Sequence, residues 1–266
     1  MPISEAVGRY DQFILDLDGC VWVGPDPVPG AVEAIEALRN AGKRVAFATN
    51  DSRHALEDHV RKLWGIGLQA SLADVVSAGA AMQHLLAETR QGKTAFVIGS
   101  DTLRKHVADA GLKVLNGTDL ATRAEVVVIG GTEAWSFEDV RVAAMAARRN
   151  GDLIATSIDP TYPMPDGLWP GTGAVVRAVE VASEQTAVVV GKPEPQLIIS
   201  ALDRLGEGRA VMIGDRLDTD VAAAAKAHID AALVLTGGMT REQAAAAKEP
   251  KPVAVADTLA DLVLGS

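Results

Sequence analysis

Short apolar runs, rich in Val and Ile, recur along the chain, and each one stops at a small or polar residue. These runs predict strands at 13–16, 45–50, 95–100, 126–130, 153–157, 187–192, 211–215 and 231–236. Between them, the helical spacing of apolar positions predicts helices at 30–40, 55–64, 101–110, 137–150, 173–183 and 194–205. Short apolar strands that alternate with helices are typical of a mostly parallel sheet covered on both faces. We therefore predict an α/β fold with a doubly wound parallel sheet.

Turn and capping residues mark where several of these elements begin and end. The pair Pro29-Gly30 precedes one predicted helix and Gly42 ends it, while the alanine-rich run at 222–227 has a high helix propensity. The segment 159–173 contains four prolines and several glycines, and we predict it as a long loop. A proline-stiffened loop of this length that carries aromatic side chains is more often functional than not.

The charge balance narrows the classes of ligand and compartment. The chain has 266 residues, with 25 Lys and Arg against 35 Asp and Glu, which gives a formal net charge of -10. This balance argues against a general affinity for nucleic acid or anionic membranes, so an anionic substrate needs a local metal ion or lysine. The single cysteine, Cys20, excludes an intramolecular disulfide, and the five histidines show no paired metal-ligand spacing. The sequence has no signal-peptide pattern and no apolar run of membrane-spanning length, so we expect a cytoplasmic protein.

Four of the predicted strands end in residues that can carry chemistry. The run at 13–16 ends at Asp16, which Asp18 and Gly19 follow. The other three lead into Thr49-Asn50-Asp51-Ser52-Arg53, into Gly191-Lys192-Pro193, and into Gly214-Asp215 with Asp218 and Asp220 beyond. Taken singly, each has a structural interpretation as an acidic turn, a helix cap or a solvated loop lysine. Because ligands bind at the carboxyl ends of strands in open α/β sheets, the shared placement favours one joint site.

Phosphoryl transfer explains this set of residue types. Asp16 can attack a phosphate and form an aspartyl-phosphate, which divides hydrolysis into two displacements. Mg²⁺ prefers oxygen ligands, so Asp16 and Asp215 can supply two carboxylates, and Lys192 adds a fixed positive charge. The Thr49 hydroxyl can hold phosphate oxygens. Asp18 can protonate the leaving alkoxide and then deprotonate the attacking water, a role typically worth roughly 10²–10⁴ in rate.

In their order along the chain, these motifs resemble the haloacid dehalogenase (HAD) superfamily, and more narrowly its NagD-like phosphatases. The resemblance rests on Asp16-Leu17-Asp18-Gly19, Thr49-Asn50-Asp51-Ser52, Gly191-Lys192-Pro193 and Gly214-Asp215-Arg216-Leu217-Asp218-Thr219-Asp220, with similarity also at 159–163, 170–173 and 233–237. It covers nearly the whole chain. It implies a Rossmann-like core formed by 1–83 and 187–266, with a smaller α/β cap domain inserted at 84–186 that closes over the core.

The resemblance also implies a role for each motif residue, in agreement with the chemical interpretation. The implied catalytic residues are Asp16 as nucleophile, Asp18 as acid and base, Thr49 and Lys192. The implied Mg²⁺ ligands are the Asp16 carboxylate, the Asp18 backbone carbonyl and Asp215. Thr49, Asn50 and Lys192 are the implied phosphate ligands. Asp220 is implied to hold these residues in position without contacting the substrate itself. In resembling proteins the cap can also form a homodimer.

Several positions near the motifs depart from the family's pattern or lie outside its chemistry. The family often has Asn where Asp51 stands, so we expect Asp51 either to cap the following helix or to contact the substrate. His228 replaces a glycine at the end of the last-motif helix, and we interpret it as a structural substitution. We interpret Cys20 as a buried filler, with a redox switch as the alternative. The candidates for substrate selection are Asp51, Arg53, Tyr162, Met164, Asp166 and Trp169.

We therefore predict a Mg²⁺-dependent phosphatase that acts on a small phosphorylated metabolite, with sugar or polyol phosphates favoured. The alternative substrates are nucleoside monophosphates, pyridoxal phosphate and phosphoglycolate. Dehalogenation is disfavoured because it needs neither a second acid nor a metal, and mutases less typically carry a large cap. The non-enzymatic alternative is a phosphorylated receiver-like signalling domain. Such a domain carries its phosphorylated Asp in mid-domain and its Lys last, unlike Asp16 and Lys192 here.

Overall fold

The computed structural model describes residues 2–265, which alternate between strands and helices. The strands, in chain order, are β1 (Gln12–Leu15), β2 (Trp22–Val23), β3 (Asp26–Pro27), β4 (Arg44–Thr49), β5 (Val75–Ser77), β6 (Thr94–Ile98), β7 (Lys113–Val114), β8 (Val126–Ile129), β9 (Leu153–Ala155), β10 (Thr161–Met164), β11 (Gly167–Pro170), β12 (Val188–Val189), β13 (Ala210–Gly214), β14 (Asp230–Val234) and β15 (Ala254–Ala256). The helices are α1 (Glu5–Gly8), α2 (Ala31–Asn40), α3 (Leu56–Gly65), α4 (Ala78–Thr89), α5 (Asp101–Asp109), α6 (Phe137–Asn150), α7 (Thr172–Ser183), α8 (Gln196–Leu205), α9 (Ala222–Lys226), α10 (Arg241–Ala245) and α11 (Leu259–Leu264). Within 2–265, none of these helices combines the length and the apolar character that crossing a bilayer requires.

The first sheet has six parallel strands in the order β15-β14-β13-β1-β4-β5. In its middle, Leu15 of β1 pairs with Ile213 of β13 on one side and with Phe47 of β4 on the other. All residues of β1 are buried, because Phe13 and Leu15 pack into a cluster with α2 and Ile14 packs on the opposite face with α8. Burial on both faces explains the apolar run, and it places the carboxyl ends of β1, β4 and β13 side by side.

The second sheet has five parallel strands in the order β12-β9-β8-β6-β7, and separate buried clusters cover its two faces. Its chain segment lies between β5 and β13 of the first sheet. The predicted fold class, a doubly wound core with an inserted smaller α/β unit, is therefore confirmed. The predicted domain limits stay predictions. Helix α4 runs across the limit at 83/84, and β12, which lies beyond the limit at 186/187, pairs with β9 of the second sheet.

Each strand and helix predicted from the apolar pattern is present, with ends that differ by a few residues. The predicted long loop at 159–173 is wrong, because it contains the antiparallel hairpin of β10 and β11 and the start of α7. The prolines hide the strand pattern. Pro163 and Pro170 both lie in this two-stranded hairpin, where an edge position tolerates the missing N–H.

His228 follows α9 in a left-handed conformation with a φ of 59°. The His228 N–H donates to the Ala225 carbonyl at 3.1 Å, and the Ile229 N–H donates to the Ala224 carbonyl at 3.0 Å. Glycine is the residue best suited to such a helix end, because it has no β-carbon to strain. The geometry agrees with the interpretation of His228 as a structural substitution.

Replacing His228 by glycine should raise the free energy of unfolding by about 0.5–1 kcal/mol, because relief of the left-handed strain exceeds the added backbone entropy. The matched control is Ala225→Gly at an exposed position within α9, which should lower the free energy of unfolding by about 1 kcal/mol. Urea unfolding followed by circular dichroism measures both changes. A loss of stability in His228→Gly would mean that the imidazole stabilises this turn.

Candidate active site

The carboxyl ends of three neighbouring strands of the first sheet meet at one cleft. Asp16 follows β1, Thr49 ends β4 and Asp215 follows β13, and all three line the cleft. Lys192 reaches the same cleft from the segment that follows β12. The predicted site residues Asp18, Asn50, Asp51, Arg53 and Tyr162 also form its walls. The structure therefore brings together residues that are spread over most of the sequence.

Lys192 is buried at the cleft, with 1% of its surface exposed. Its Nζ donates hydrogen bonds to Asp220 Oδ1 at 2.7 Å and to the Ala48 carbonyl at 2.9 Å, and it lies 2.8 Å from Asp16 Oδ1. Burial opposes the positive charge, but the carboxylates of Asp16 and Asp220 outweigh this effect and raise the pKa of Lys192. Lys192 therefore stays charged and fixes the position of Asp16.

Asp16 and Asp215 belong to a cluster that holds more negative charge than one lysine balances. Burial raises the pKa of Asp16 to about 8, a rise that Lys192 opposes and Asp220 adds to. Burial also raises the pKa of Asp215, and the charges of Asp220 and Asp16 add to that rise. Oxygens of the three carboxylates lie within 4.8 Å of one another. A cation bound among them would favour the ionised forms of Asp16 and Asp215.

The hydrogen bonds of the cluster show which carboxylates can hold a metal ion. Asp215 Oδ1 is buried and has no hydrogen-bond partner among residues 2–265. Asp16 takes its hydrogen bond from the Leu17 N–H at Oδ1, the oxygen that also faces Lys192. Asp220 uses Oδ1 for Lys192 and Oδ2 for the Arg216 N–H at 3.1 Å. Asp16 and Asp215 therefore have oxygens that could bind a cation such as Mg²⁺. Asp220 uses both of its oxygens in hydrogen bonds that hold Lys192 and Arg216 in position.

Asp18 and Thr49 lie next to each other in the cleft. Thr49 Oγ1 is 3.5 Å from Asp18 Oδ2, and it accepts a hydrogen bond from the Asp51 N–H at 3.0 Å. The chain turns sharply after Asp18 at Gly19, whose φ is +87°. A β-carbon on Gly19 would come within 2.6 Å of Asp215 Cγ, so only glycine lets the two acidic segments approach this closely.

The side chain of Asn50 connects three parts of the site. Its amide nitrogen donates to Asp159 Oδ2 at 2.8 Å and to the Lys192 carbonyl at 2.9 Å, while its amide oxygen accepts the Lys192 N–H at 2.8 Å. Both amide hydrogens are therefore used within the protein. Asn50 joins the end of β4 to the lysine segment, and a phosphate contact by this residue stays a prediction.

Asp51 organises the turn that follows β4. Its Oδ1 accepts the N–H and the Nε–H of Arg53, both at 2.9 Å, and its Oδ2 lies 2.6 Å from His54 Nδ1. Burial opposes ionisation of Asp51, but the hydrogen bond to His54 and the charge of Arg53 prevail and lower its pKa. Helix α3 begins at Leu56 with Ala55 as its N-cap residue. Asp51 therefore fixes Arg53 beside the cleft instead of capping the helix.

The predicted specificity residues of the β10–β11 hairpin fall into two groups. Tyr162 lines the cleft, and the Arg53 guanidinium lies 4.4 Å from the centre of its ring. Met164 lines a neighbouring cavity of about 200 Å³. This side cavity is formed by Asp18, Trp22, Gly24, Pro25, Asp51, Arg53, His54, His59, Lys62, Glu133, Tyr162 and Met164. Asp166 and Trp169 lie outside both spaces, and the Trp169 indole donates to Asp166 Oδ1 at 2.9 Å.

Other residues that shape the cleft have little or no signal in the sequence. Ser52 is buried, its Oγ lies 3.1 Å from Thr156 Oγ1, and it accepts the Gly131 N–H at 2.9 Å. These bonds join the loop after β4 to the second sheet. The Trp22 indole donates to Asp18 Oδ1 at 3.0 Å, and only its position four residues beyond Asp18 hints at this contact.

Known proteins are similar to this chain in both sequence and fold. Residues 13–113 match the family described as haloacid dehalogenase-like hydrolase, and residues 189–262 match a family described as HAD-hydrolase-like. The acid sugar phosphatase of Staphylococcus haemolyticus is 30% identical over 237 residues, which cover 88% of this chain and 89% of that protein. This chain belongs to the haloacid dehalogenase-like hydrolases.

Two further comparisons place this HAD-like hydrolase within the superfamily. The D-glycerol 3-phosphate phosphatase of Mycobacterium tuberculosis is 34% identical over 230 residues, and the match spans 86% of this chain but 64% of that protein. The crystal structure of the glycerol phosphate phosphatase Rv1692 from the same organism, in complex with magnesium, superposes with a TM-score of 0.84 at 33% identity. That superposition covers 98% of this chain and 78% of the other. The predicted family and enzyme class, a NagD-like phosphoric monoester hydrolase, are confirmed.

Adding Mg²⁺ to the metal-free protein should raise its melting temperature, since a ligand specific for the native state adds about 2.7 kcal/mol at 100 times its Kd. Asp215→Asn should remove most of this rise, because it replaces a carboxylate that has an unpartnered buried oxygen among residues 2–265. Asp218→Asn is the matched control, because this exposed acid of the same turn bonds Arg216. Differential scanning fluorimetry measures the shift, and an undiminished response in Asp215→Asn would exclude Asp215 as a ligand.

Proposed function

We propose that the protein is a Mg²⁺-dependent phosphatase that hydrolyses small phosphomonoesters, sugar or polyol phosphates above all, through an aspartyl-phosphate on Asp16. The observation that carries the proposal is the contact of 2.8 Å between Asp16 and the buried Lys192, in the cleft that Asp18 also lines. The carboxylate proposed as the nucleophile, a fixed cation and a second carboxyl group therefore surround one space. Hydrolysis of a phosphate ester through an aspartyl-phosphate uses these three groups together.

In the first half-reaction, an oxygen of Asp16 attacks phosphorus while the bond from phosphorus to the leaving oxygen breaks. Lys192 orients Asp16 and offsets negative charge as the phosphate approaches. The Thr49 hydroxyl accepts the Asp51 N–H and donates to Asp18 Oδ2 over a long distance of 3.5 Å. An arriving phosphate oxygen can take over this hydrogen. Asp18 donates a proton to the leaving oxygen, and the alcohol departs.

In the second half-reaction, Asp18 acts as a carboxylate and removes a proton from water. The water oxygen attacks phosphorus, the bond from phosphorus to Asp16 breaks, and inorganic phosphate is released. Asp16 and Asp18 return to their starting forms, so the cycle closes. When Mg²⁺ is held by Asp16 and Asp215, it supplies positive charge that offsets the charge of the phosphate.

Two observations support sugar or polyol phosphates as the substrates. The relatives described above are named D-glycerol 3-phosphate phosphatase and acid sugar phosphatase. The side cavity next to Asp18 offers side chains that can bond hydroxyl groups, namely Arg53, His59, Lys62, Glu133 and Tyr162. Nucleoside monophosphates, pyridoxal phosphate and phosphoglycolate serve as the comparison substrates in a screen by kcat/KM.

The proposed partner is therefore a small phosphorylated metabolite, and Lys192 with a bound metal ion would supply the positive charge that a protein of formal net charge -10 needs to bind it. The homodimer through the inserted unit, which the resemblance implies, stays a prediction. The expected cytoplasmic location stays a prediction as well.

Asp16→Asn should lower phosphate release by about 10³-fold or more, because an amide cannot attack phosphorus as a carboxylate does. Phosphate release in the presence of Mg²⁺ measures the change, and thermal unfolding checks that the variant is folded. The matched control is Asp203→Asn at an exposed position of α8, which should leave the rate unchanged.

Substantial turnover by Asp16→Asn would remove Asp16 as the nucleophile. EDTA should silence the wild-type enzyme and Mg²⁺ should restore it, so activity that persists in EDTA would contradict the metal requirement. Stable phosphorylation by acetyl phosphate without release of phosphate would favour the receiver-like alternative.

Tyr162→Leu should change the ratio of kcat/KM between a sugar phosphate and p-nitrophenyl phosphate by about 3–10-fold, because it alters a wall of the cleft. Asp166→Asn is the control from the same hairpin, because its side chain bonds Trp169 outside the cleft. Steady-state kinetics on both substrates measure the ratio. If Tyr162→Leu slows both substrates equally, Tyr162 does not select among leaving groups.

A further inference from the structure

The mechanism above leaves one buried polar contact of Asp18 without a role. The indole Nε1–H of Trp22 donates a hydrogen bond to Asp18 Oδ1 at 3.0 Å, and Trp22 is 1% exposed. An indole has one hydrogen to donate and no acceptor, and leaving it unpaired in a buried position costs free energy. Asp18 therefore supplies the acceptor that the Trp22 indole N–H needs, and this hydrogen bond in turn restricts the orientation of the Asp18 carboxyl group.

The ring of Trp22 is held firmly enough to act as a fixed donor. The Gly19 N–H donates to the Trp22 carbonyl at 2.7 Å, and the Trp22 N–H donates to the Leu17 carbonyl at 3.1 Å, so a tight turn connects Trp22 to the acidic motif. Lys62 Nζ lies 3.9 Å from the ring centre and donates to the Gly24 carbonyl at 2.7 Å. The indole N–H is thus pre-oriented toward Asp18 before a substrate binds.

The contact makes the two oxygens of Asp18 chemically different. Oδ1 accepts the indole N–H, and an oxygen in that position cannot also point its own proton at the same donor. Oδ2 accepts a long hydrogen bond of 3.5 Å from the Thr49 hydroxyl, beside the phosphate-binding part of the cleft. A hydroxyl can reverse its role and accept a proton carried by Oδ2, which an indole N–H cannot do. When Asp18 is a neutral acid, its proton therefore belongs on Oδ2.

We propose that Trp22 is a positioning residue that directs Asp18 Oδ2, and the proton it carries, toward the oxygen of the leaving group. This inference rests on the proposed function. As Asp16 attacks, the bond from phosphorus to the leaving oxygen breaks and its electron pair stays on that oxygen. The proton on Asp18 Oδ2 moves to the same oxygen, and Asp18 becomes a carboxylate that still accepts the indole N–H at Oδ1. In the hydrolysis step, Oδ2 takes a proton back from water.

The test compares two leaving groups in Trp22→Phe, which removes the N–H and keeps an aromatic ring. Glycerol 3-phosphate releases an alkoxide that needs the proton, whereas p-nitrophenyl phosphate releases a stabilised anion that does not. We expect kcat/KM to fall by about tenfold or more for glycerol 3-phosphate and by no more than about threefold for p-nitrophenyl phosphate. The parameter kcat/KM reports transfer to Asp16, before the hydrolysis step that both substrates share.

The matched control is Trp64→Phe, which removes an indole hydrogen bond to the Ala70 carbonyl on another face of the protein. It should leave both values of kcat/KM unchanged. An inactive fraction of Trp22→Phe lowers both rates equally, so the ratio between the substrates is independent of folding yield. If Trp22→Phe cannot be isolated, benzothienylalanine at position 22 removes the N–H with the shape preserved, and it should change the ratio in the same way.

A double-mutant cycle separates positioning from packing. In an Asp18→Asn background, Trp22→Phe should cause no further change in the ratio of kcat/KM between the two substrates. Equal slowing of both substrates by Trp22→Phe, or no slowing of either, would overturn the inference and leave the proposed function intact. A wild-type protein that hydrolyses neither substrate with Mg²⁺ would overturn the proposed function, and this inference with it.

Discussion

A buried lysine at the meeting point of several chain segments is the interaction on which the site depends. Lys192 pairs with Asp16 and Asp220 in a place where burial alone would favour the neutral form of Asp16. Its third partner, the Ala48 carbonyl, belongs to β4, so one ammonium group joins β1, β4 and the turn after β13. The lysine arrives on the chain that returns from the second sheet. Asp16 is therefore held in position only when both parts of the fold are assembled.

The placement of the site could be predicted from the sequence, because it follows from the topology of a parallel sheet. An apolar run that ends at Asp16 and another that ends at Asp215 must finish at the same edge if their strands are parallel neighbours. The direction of individual side chains could not be predicted in the same way. Tyr162 faces the cleft while Asp166 and Trp169 bond each other, and this division depends on the pairing of a hairpin that its prolines conceal.

Side-chain hydrogen bonds account for the other differences between expectation and structure. Asp51 stands where a helix cap is common, but its two carboxylate oxygens form hydrogen bonds with Arg53 and His54 instead. The bond between Asn50 and Asp159 joins residues 109 positions apart, and no local pattern reveals it. The bonds of Asn50 and Ser52 connect the loop after β4 to the second sheet, so the residues at the end of β4 also form the joint between the two sheets.

The chain leaves the first sheet and returns to it at neighbouring points. A β-carbon on Gly191 would come within 3.1 Å of the Ala78 β-carbon at the start of α4, so the outgoing and returning segments touch. A segment whose ends already meet adds little loop-closure entropy to the sheet that it interrupts. Loops of this segment that make no contact with Asn50, Ser52 or Lys192 can be lengthened, shortened or exchanged while the edge of that sheet keeps its geometry. The outer loops of the inserted segment and the acidic edge of the first sheet can therefore change independently of each other during evolution.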